Sequence, residues 1–162
     1  MNDARMREQV KFDQFEWDGV SKAEYKQQAE NQTFYRVTRQ NIISSEDGVD
    51  FEVRYFECDS LGYTTLEKHQ HTHVVMIARG CGRVIIRQHI YDAKPFDYFL
   101  IPEWQPHQLI NAAEEPFGFF CTVNARRDKF TLLTREETET LKQNKQIKDI
   151  IKIPEGYLTD SI

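Results

Sequence analysis

Nowhere in this chain do eighteen apolar residues follow one another, and its first eight residues, Met1 to Glu8, are mostly charged or polar. Neither a membrane-spanning helix nor a secretory leader is expected, and the expected compartment is cytoplasmic. Lysine and arginine never gather into a run, and 21 basic against 26 acidic residues leave a net charge of -5. That balance excludes a general nucleic-acid or acidic-membrane binder. Cysteine is scarce: Cys58, Cys81 and Cys121 are odd in number and form no CxxC pair. A disulfide framework and a zinc ribbon are therefore excluded, which leaves free thiols or small buried hydrophobes; Cys58 and Cys81 are read as the latter. Internal repeats, low-complexity tracts and linkers long enough to separate a second domain are also missing. What is present is a 162-residue chain, 40% hydrophobic and 29% charged, long enough to bury a single core.

Pattern divides the chain into three stretches. Residues 1–33 are polar, with Phe12, Phe15, Trp17 and Val20 as apolar anchors, and Ser21 with Glu24 has capping-box spacing for a short helix. Residues 34–124 carry short runs rich in β-branched and aromatic residues, at 34–43, 49–58, 63–69, 74–78, 82–91, 97–102, 107–111 and 117–123. Gly, Pro, Asp and Asn stand between most of them, with turns expected at 46–48, 59–62, 80–82, 94–95, 102–106 and 113–116. Closely spaced strands with no helix among them predict an all-β antiparallel sandwich or small barrel. Residues 125–162 return to charge, with a capping box at Thr134 and Glu137 that opens a helix over 135–144, and an isoleucine patch stopped by Pro154. Both terminal stretches read as helical arms on one β domain.

Three of the five histidines fall at 69, 71 and 73, and Glu67 continues the odd-numbered series. On a strand these four side chains project to one side, whereas a helix scatters them. Imidazoles with a carboxylate form the ligand set of Mn, Fe, Ni, Zn or Cu. A solvated polar edge strand is the alternative. A second stretch decides between them: an apolar run ends at Pro102, a Pro-bounded turn follows, and His107 opens the next strand, placed to bring a fourth ligand from across a barrel.

At this point the sequence resembles the cupin superfamily, whose first motif reads Gly, His-x-His, Glu, Gly and whose second ends in Pro-x-Gly, His, Asn. Pro102, His107 and Asn111 fit the second motif, with Phe96 and Trp104 standing where glycines are usual. Matching Gly62 and Gly80 to the first motif's glycines puts Glu67, His69 and His73 on its three ligand positions. The resemblance then implies a ligand set of Glu67, His69, His73 and His107, with His71 in a connecting turn and left open as a fifth candidate. It implies a double-stranded β-helix (jelly-roll) barrel and a divalent transition metal, Mn, Fe, Ni or Zn.

Residues 17–130 further resemble a set of small cupins that includes methylthioxylulose-phosphate methylsulfurylases, enzymes that use a divalent metal and a thiol. This implies a lyase or isomerase acting on a methylthio-sugar phosphate, with Cys121, on the inward face of 117–123, as the catalytic thiol. An Fe(II)-type dioxygenase and a non-catalytic small-molecule-binding cupin share the same ligands and stay open. His89 is read as exposed, and Arg36, Arg39 and Arg54 as exposed strand residues although they could clamp a phosphate. Tyr98 and Trp104 are read as core or barrel-mouth aromatics. The expected partners are a small-molecule substrate and a second copy paired along 34–43, with no nucleic acid and no membrane.

Overall fold

The computed structural model describes residues 8–25 and 32–158, in which a curled antiparallel sheet carries two short helices. Residues 1–7, 26–31 and 159–162 of the expected arms lie outside the described ones. In chain order come a small hairpin of β1 (Phe12–Asp13) and β2 (Glu16–Trp17), then β3 (Lys22–Glu24), β4 (Tyr35–Ile43) and β5 (Phe51–Tyr63). The strands β6 (Glu67–Lys68), β7 (His73–Arg79), β8 (Gly82–Ile86), β9 (His89–Ala93) and β10 (Tyr98–Ile101) follow. After them come β11 (His107–Asn111), β12 (Phe117–Asn124), β13 (Thr131–Leu132), α1 (Arg135–Lys142) and α2 (Lys145–Ile150).

Two walls make the barrel. One runs β10-β7-β12-β5-β4-β3 and the other β13-β6-β11-β8-β9, and β5 joins them because its far end pairs Tyr63 with Ile110 of β11. The turn expected at 59–62 is therefore a correction: β5 passes straight through it. Leu61 takes a left-handed φ of 61°, and a side chain on Gly62 would meet the carbonyls of Asp59 and Arg36 at 2.7 and 2.8 Å. Glycine is needed here for close backbone approach, not to end a strand. The run expected at 82–91 is likewise two strands, β8 and β9, turned at Arg87 with φ 57°.

Alternation along β12 buries Phe117, Phe119, Cys121 and Val123 against Val75, Ile77, Phe56 and Leu109 inside the barrel, while Thr122 and Asn124 face solvent. The arms cover the outer faces. Trp17 and Phe15 pack on Tyr55 outside the first wall, and Leu141, Ile147 and Tyr157 pack on Leu66, Ile85 and Ile110 outside the second. This second cover explains why Val84, Ile85 and Ile86 are all buried.

The helix expected from Ser21 is a strand. Lys22, Ala23 and Glu24 pair with Gln40, Arg39 and Thr38, and Tyr25 is buried edge-on against Phe34 and Phe56. Burying that ring contributes about 2 kcal/mol, more than the roughly 1 kcal/mol of a cap. The C-terminal capping box at Thr134 and Glu137 forms as expected. Cys81 is exposed beside Gly80, not a core residue, whereas Cys58 is fully buried. Tyr98 and Trp104 are also exposed, Tyr98 on the outer face of β10. Among the described residues no helix is long and apolar enough to cross a membrane.

Candidate metal centre

The histidine series does not sit on one strand. β6 stops at Lys68, the chain bends through Gln70 and His71, and His73 opens β7. Asp128 makes the bend: its carboxylate accepts the N–H of Gln70 at 2.7 Å, that of His71 at 3.0 Å and the Nδ1–H of His71 at 2.6 Å. Those donors hold the Asp128 carboxyl well below its usual range against a burial effect that alone would raise it. His71 stays in the turn, its ring stacked 3.6 Å from that of His69.

His107 arrives from β11, directly opposite Glu67 in register. The structure brings His69, His73 and His107 together with one ligand atom from each within 4.8 Å of the others. All three are buried, at 2%, 8% and 3% exposure. Glu67 and His71 line the same cavity, but among the described residues this converging group consists of the three histidines alone. His89 is exposed on β9.

Ring orientation tests whether a metal fits. His69 Nδ1 lies 2.7 Å from the His71 carbonyl and His107 Nδ1 lies 2.9 Å from that of Gln105. A carbonyl only accepts, so each Nδ1 carries the proton and each Nε2 keeps its lone pair. The Nε2 atoms of His73 and His107 are enclosed, and among the described residues no hydrogen bond reaches either atom. Burial, then the neighbouring imidazole of His107, pushes the His69 pKa down to about 4, and the same causes push His73 well below its ordinary value. Three buried, converging imidazoles, with His69 and His73 held toward the neutral form, suit a divalent cation and leave coordination positions toward the cavity.

Cys121 does face this centre. Its Sγ lies 3.1 Å from His73 Nδ1 and accepts from Arg54 Nη2 at 3.1 Å. Burial pushes the thiol up, and Arg54 pulls it down by less. The cavity around these groups measures about 670 Å³, a size that suits a small metabolite. Arg39 and Arg54 line it too, which corrects their reading as exposed strand residues; Arg36 is exposed and paired with Asp59. Two further wall residues carry no sequence signal for the site. Tyr25 falls where capping-box spacing predicts a helix, and Asp128 follows two arginines in a charged stretch that gives no local sign of reaching back 57 residues to His71.

Residues 61–123 match the family model described as Cupin domain. The chain is 40% identical over 129 residues, 80% of its length, to a protein of Rhodospirillum rubrum named 1-methylthio-D-xylulose 5-phosphate methylsulfurylase, 81% of which is covered. Among solved structures it resembles a cupin-2 domain from Rhodospirillum rubrum, with 39% identity and a TM-score of 0.77 over 84% of this chain and 90% of that one. It also resembles a cupin 2 conserved barrel domain protein from Rhodopseudomonas palustris, with 40% identity and a TM-score of 0.75 over 83% and 92% of the two chains.

Proposed function

The chain belongs to the cupin family, and we propose that within it the chain is a metal-dependent enzyme of the lyase or isomerase kind acting on a methylthio-sugar phosphate. The observation that carries this reading is the Cys121 thiol, buried in the cavity between a ring of the histidine triad and the Arg54 guanidinium, in a chain similar to a methylsulfurylase. His69, His73 and His107 would hold Mn, Fe, Ni or Zn, with Glu67 beside them as the candidate fourth ligand. When bound, the cation supplies Lewis-acid stabilisation of charge developing on substrate oxygens.

The chain's own groups do the rest. With Nε2 of His73 turned to the centre, its Nδ1 donates to Cys121 Sγ, and Arg54 Nη2 donates to the same sulfur. Two donors on one sulfur offset part of the burial that raises the thiol, and they place Cys121 to exchange a proton with a substrate carbon. Tyr25, buried in the cavity wall, keeps its proton because burial raises its pKa well above the ordinary value. Asp128 fixes the bend that aims His69.

The test is metal analysis of protein purified without added metal, followed by a substrate screen with that metal restored. Turnover of a methylthio-sugar phosphate without oxygen uptake is expected. Oxygen consumption with iron bound would replace this reading by a dioxygenase, and protein that takes up no metal would sink both.

A further inference from the structure

Strand register sets four chemically active residues in one line across the barrel's inner wall. Val123 lies opposite His73, and Cys121, two residues before it on the same face, lies opposite Arg54. Phe56 lies opposite Arg39, so Arg54 is the diagonal neighbour of Arg39 on the next strand. From β7 through β12 and β5 to β4, the row reads His73, Cys121, Arg54, Arg39. Strands stand about 4.8 Å apart, so the row spans about 10 Å from His73 to Arg54 before the side chains reach inward.

Neither arginine is saturated by the protein. Among the described residues, Nη2 alone of the five Arg54 donors finds a side-chain partner, the sulfur of Cys121, and Nε is enclosed with none. Arg39 makes no ion pair or side-chain hydrogen bond among the described residues, and burial together with the positive charge of Arg54 lowers its pKa. Glu52, the carboxylate beside them, is already held by Arg127 at 2.9 Å. Two like charges face one cavity whose nearby carboxylate, Glu52, is already engaged by Arg127, and their repulsion costs free energy that a bound anion relieves.

We infer that Arg39 and Arg54 form an anion subsite that grips the phosphate end of the substrate, so that the molecule lies across Cys121 with its oxygenated end at the histidine triad. The inference rests on reading this cavity as a substrate site. It adds polarity: the arginines decide which end of the substrate meets the metal, and they hold the carbon backbone over the thiol. A planar guanidinium pair matches a phosphate dianion better than a singly charged or neutral end, so unphosphorylated analogues are discriminated against at this row.

Titration of the metal-loaded protein with inorganic phosphate tests it, comparing wild type with Arg39→Gln, Arg54→Lys and, as control, Arg36→Gln on the exposed part of the same strand. Phosphate affinity is expected to fall by about tenfold to a hundredfold in Arg39→Gln and to fall in Arg54→Lys, with metal content unchanged and Arg36→Gln like wild type. Phosphate held on the metal alone would bind Arg39→Gln as tightly as wild type, and that result would overturn the subsite, as would an equal loss in Arg36→Gln. The two readings fail separately. Arginine-dependent phosphate binding in a protein that turns over no methylthio-sugar phosphate keeps the subsite and removes the proposed reaction. Turnover with an unmoved KM in Arg39→Gln keeps the reaction and removes the subsite.

Discussion

At the scale of single residues, Cys121 and His107 carry the heaviest expectations, and both are legible in the sequence because period-two alternation puts 117, 119, 121 and 123 on one face and a Pro-bounded turn sets His107 at a strand's start. The partners of Cys121 are not legible there, since Arg54 lies 67 residues away and His73 lies 48 away, and only register brings them together. Replacing Cys121 by Ser keeps the volume and the two donors but supplies a hydroxyl that stays protonated. We expect full metal content and an unfolding midpoint close to wild type, with turnover reduced by about a hundredfold or more; undiminished turnover would return Cys121 to core packing. His107→Ala should lose metal stoichiometry while His89→Ala, on the exposed β9, keeps it, as read by elemental analysis of the two purified variants.

Single elements show where local sequence signals mislead and where they hold. The capping box at Thr134 forms a helix because Thr138, Leu141 and Ile147 then bury against the outer wall, whereas the same spacing at Ser21 yields to a strand because Tyr25 must reach the interior. Propensity gives way where packing is worth more. Phe96 and Trp104, which occupy positions where the family usually has glycine, both adopt left-handed backbone, at φ 73° and 57°. Trp104 at least uses the strain, since its N–H reaches the carbonyl of His69 at 2.7 Å and braces the ligand segment. Phe96 is 78% exposed, so its side chain returns little. Phe96→Gly should therefore raise the unfolding free energy by about 1 kcal/mol, seen as a higher urea midpoint; a lower midpoint would show that the ring makes contacts worth more than the strain.

For the molecule as a whole, the barrel is readable from strand spacing, but the division of labour between the arms is not, because each arm's apolar residues have meaning only against the outer face they cover. The inside of the barrel bears the acid sensitivity. His69 has a folded pKa of about 4 and His73 one well below the ordinary 6.5, both chiefly through burial. Above pH 6.5 these rings are neutral whether the chain is folded or not, and the stability that goes with the neutral pair is fully present. As pH falls from 6.5 toward 4 the unfolded chain takes up protons that the folded chain refuses, so stability is lost through that window, at up to about 1.4 kcal/mol per pH unit for each histidine. The Asp128 carboxyl, held below its usual range, adds its loss only under about pH 4, so the two effects separate. Urea unfolding at pH 7.5 and pH 5 should show a clearly lower midpoint at pH 5, and the exposed His89→Asn variant should show the same drop. Saturating metal should raise the pH 7.5 stability by about 2.7 kcal/mol at a hundredfold excess over Kd, and by much less at pH 5, where protons compete for the same imidazole lone pairs. A midpoint that stays flat between pH 7.5 and pH 5 without metal would mean that the triad is hydrated and open instead of buried and neutral, and the fit of a cation to these three rings would fall with it.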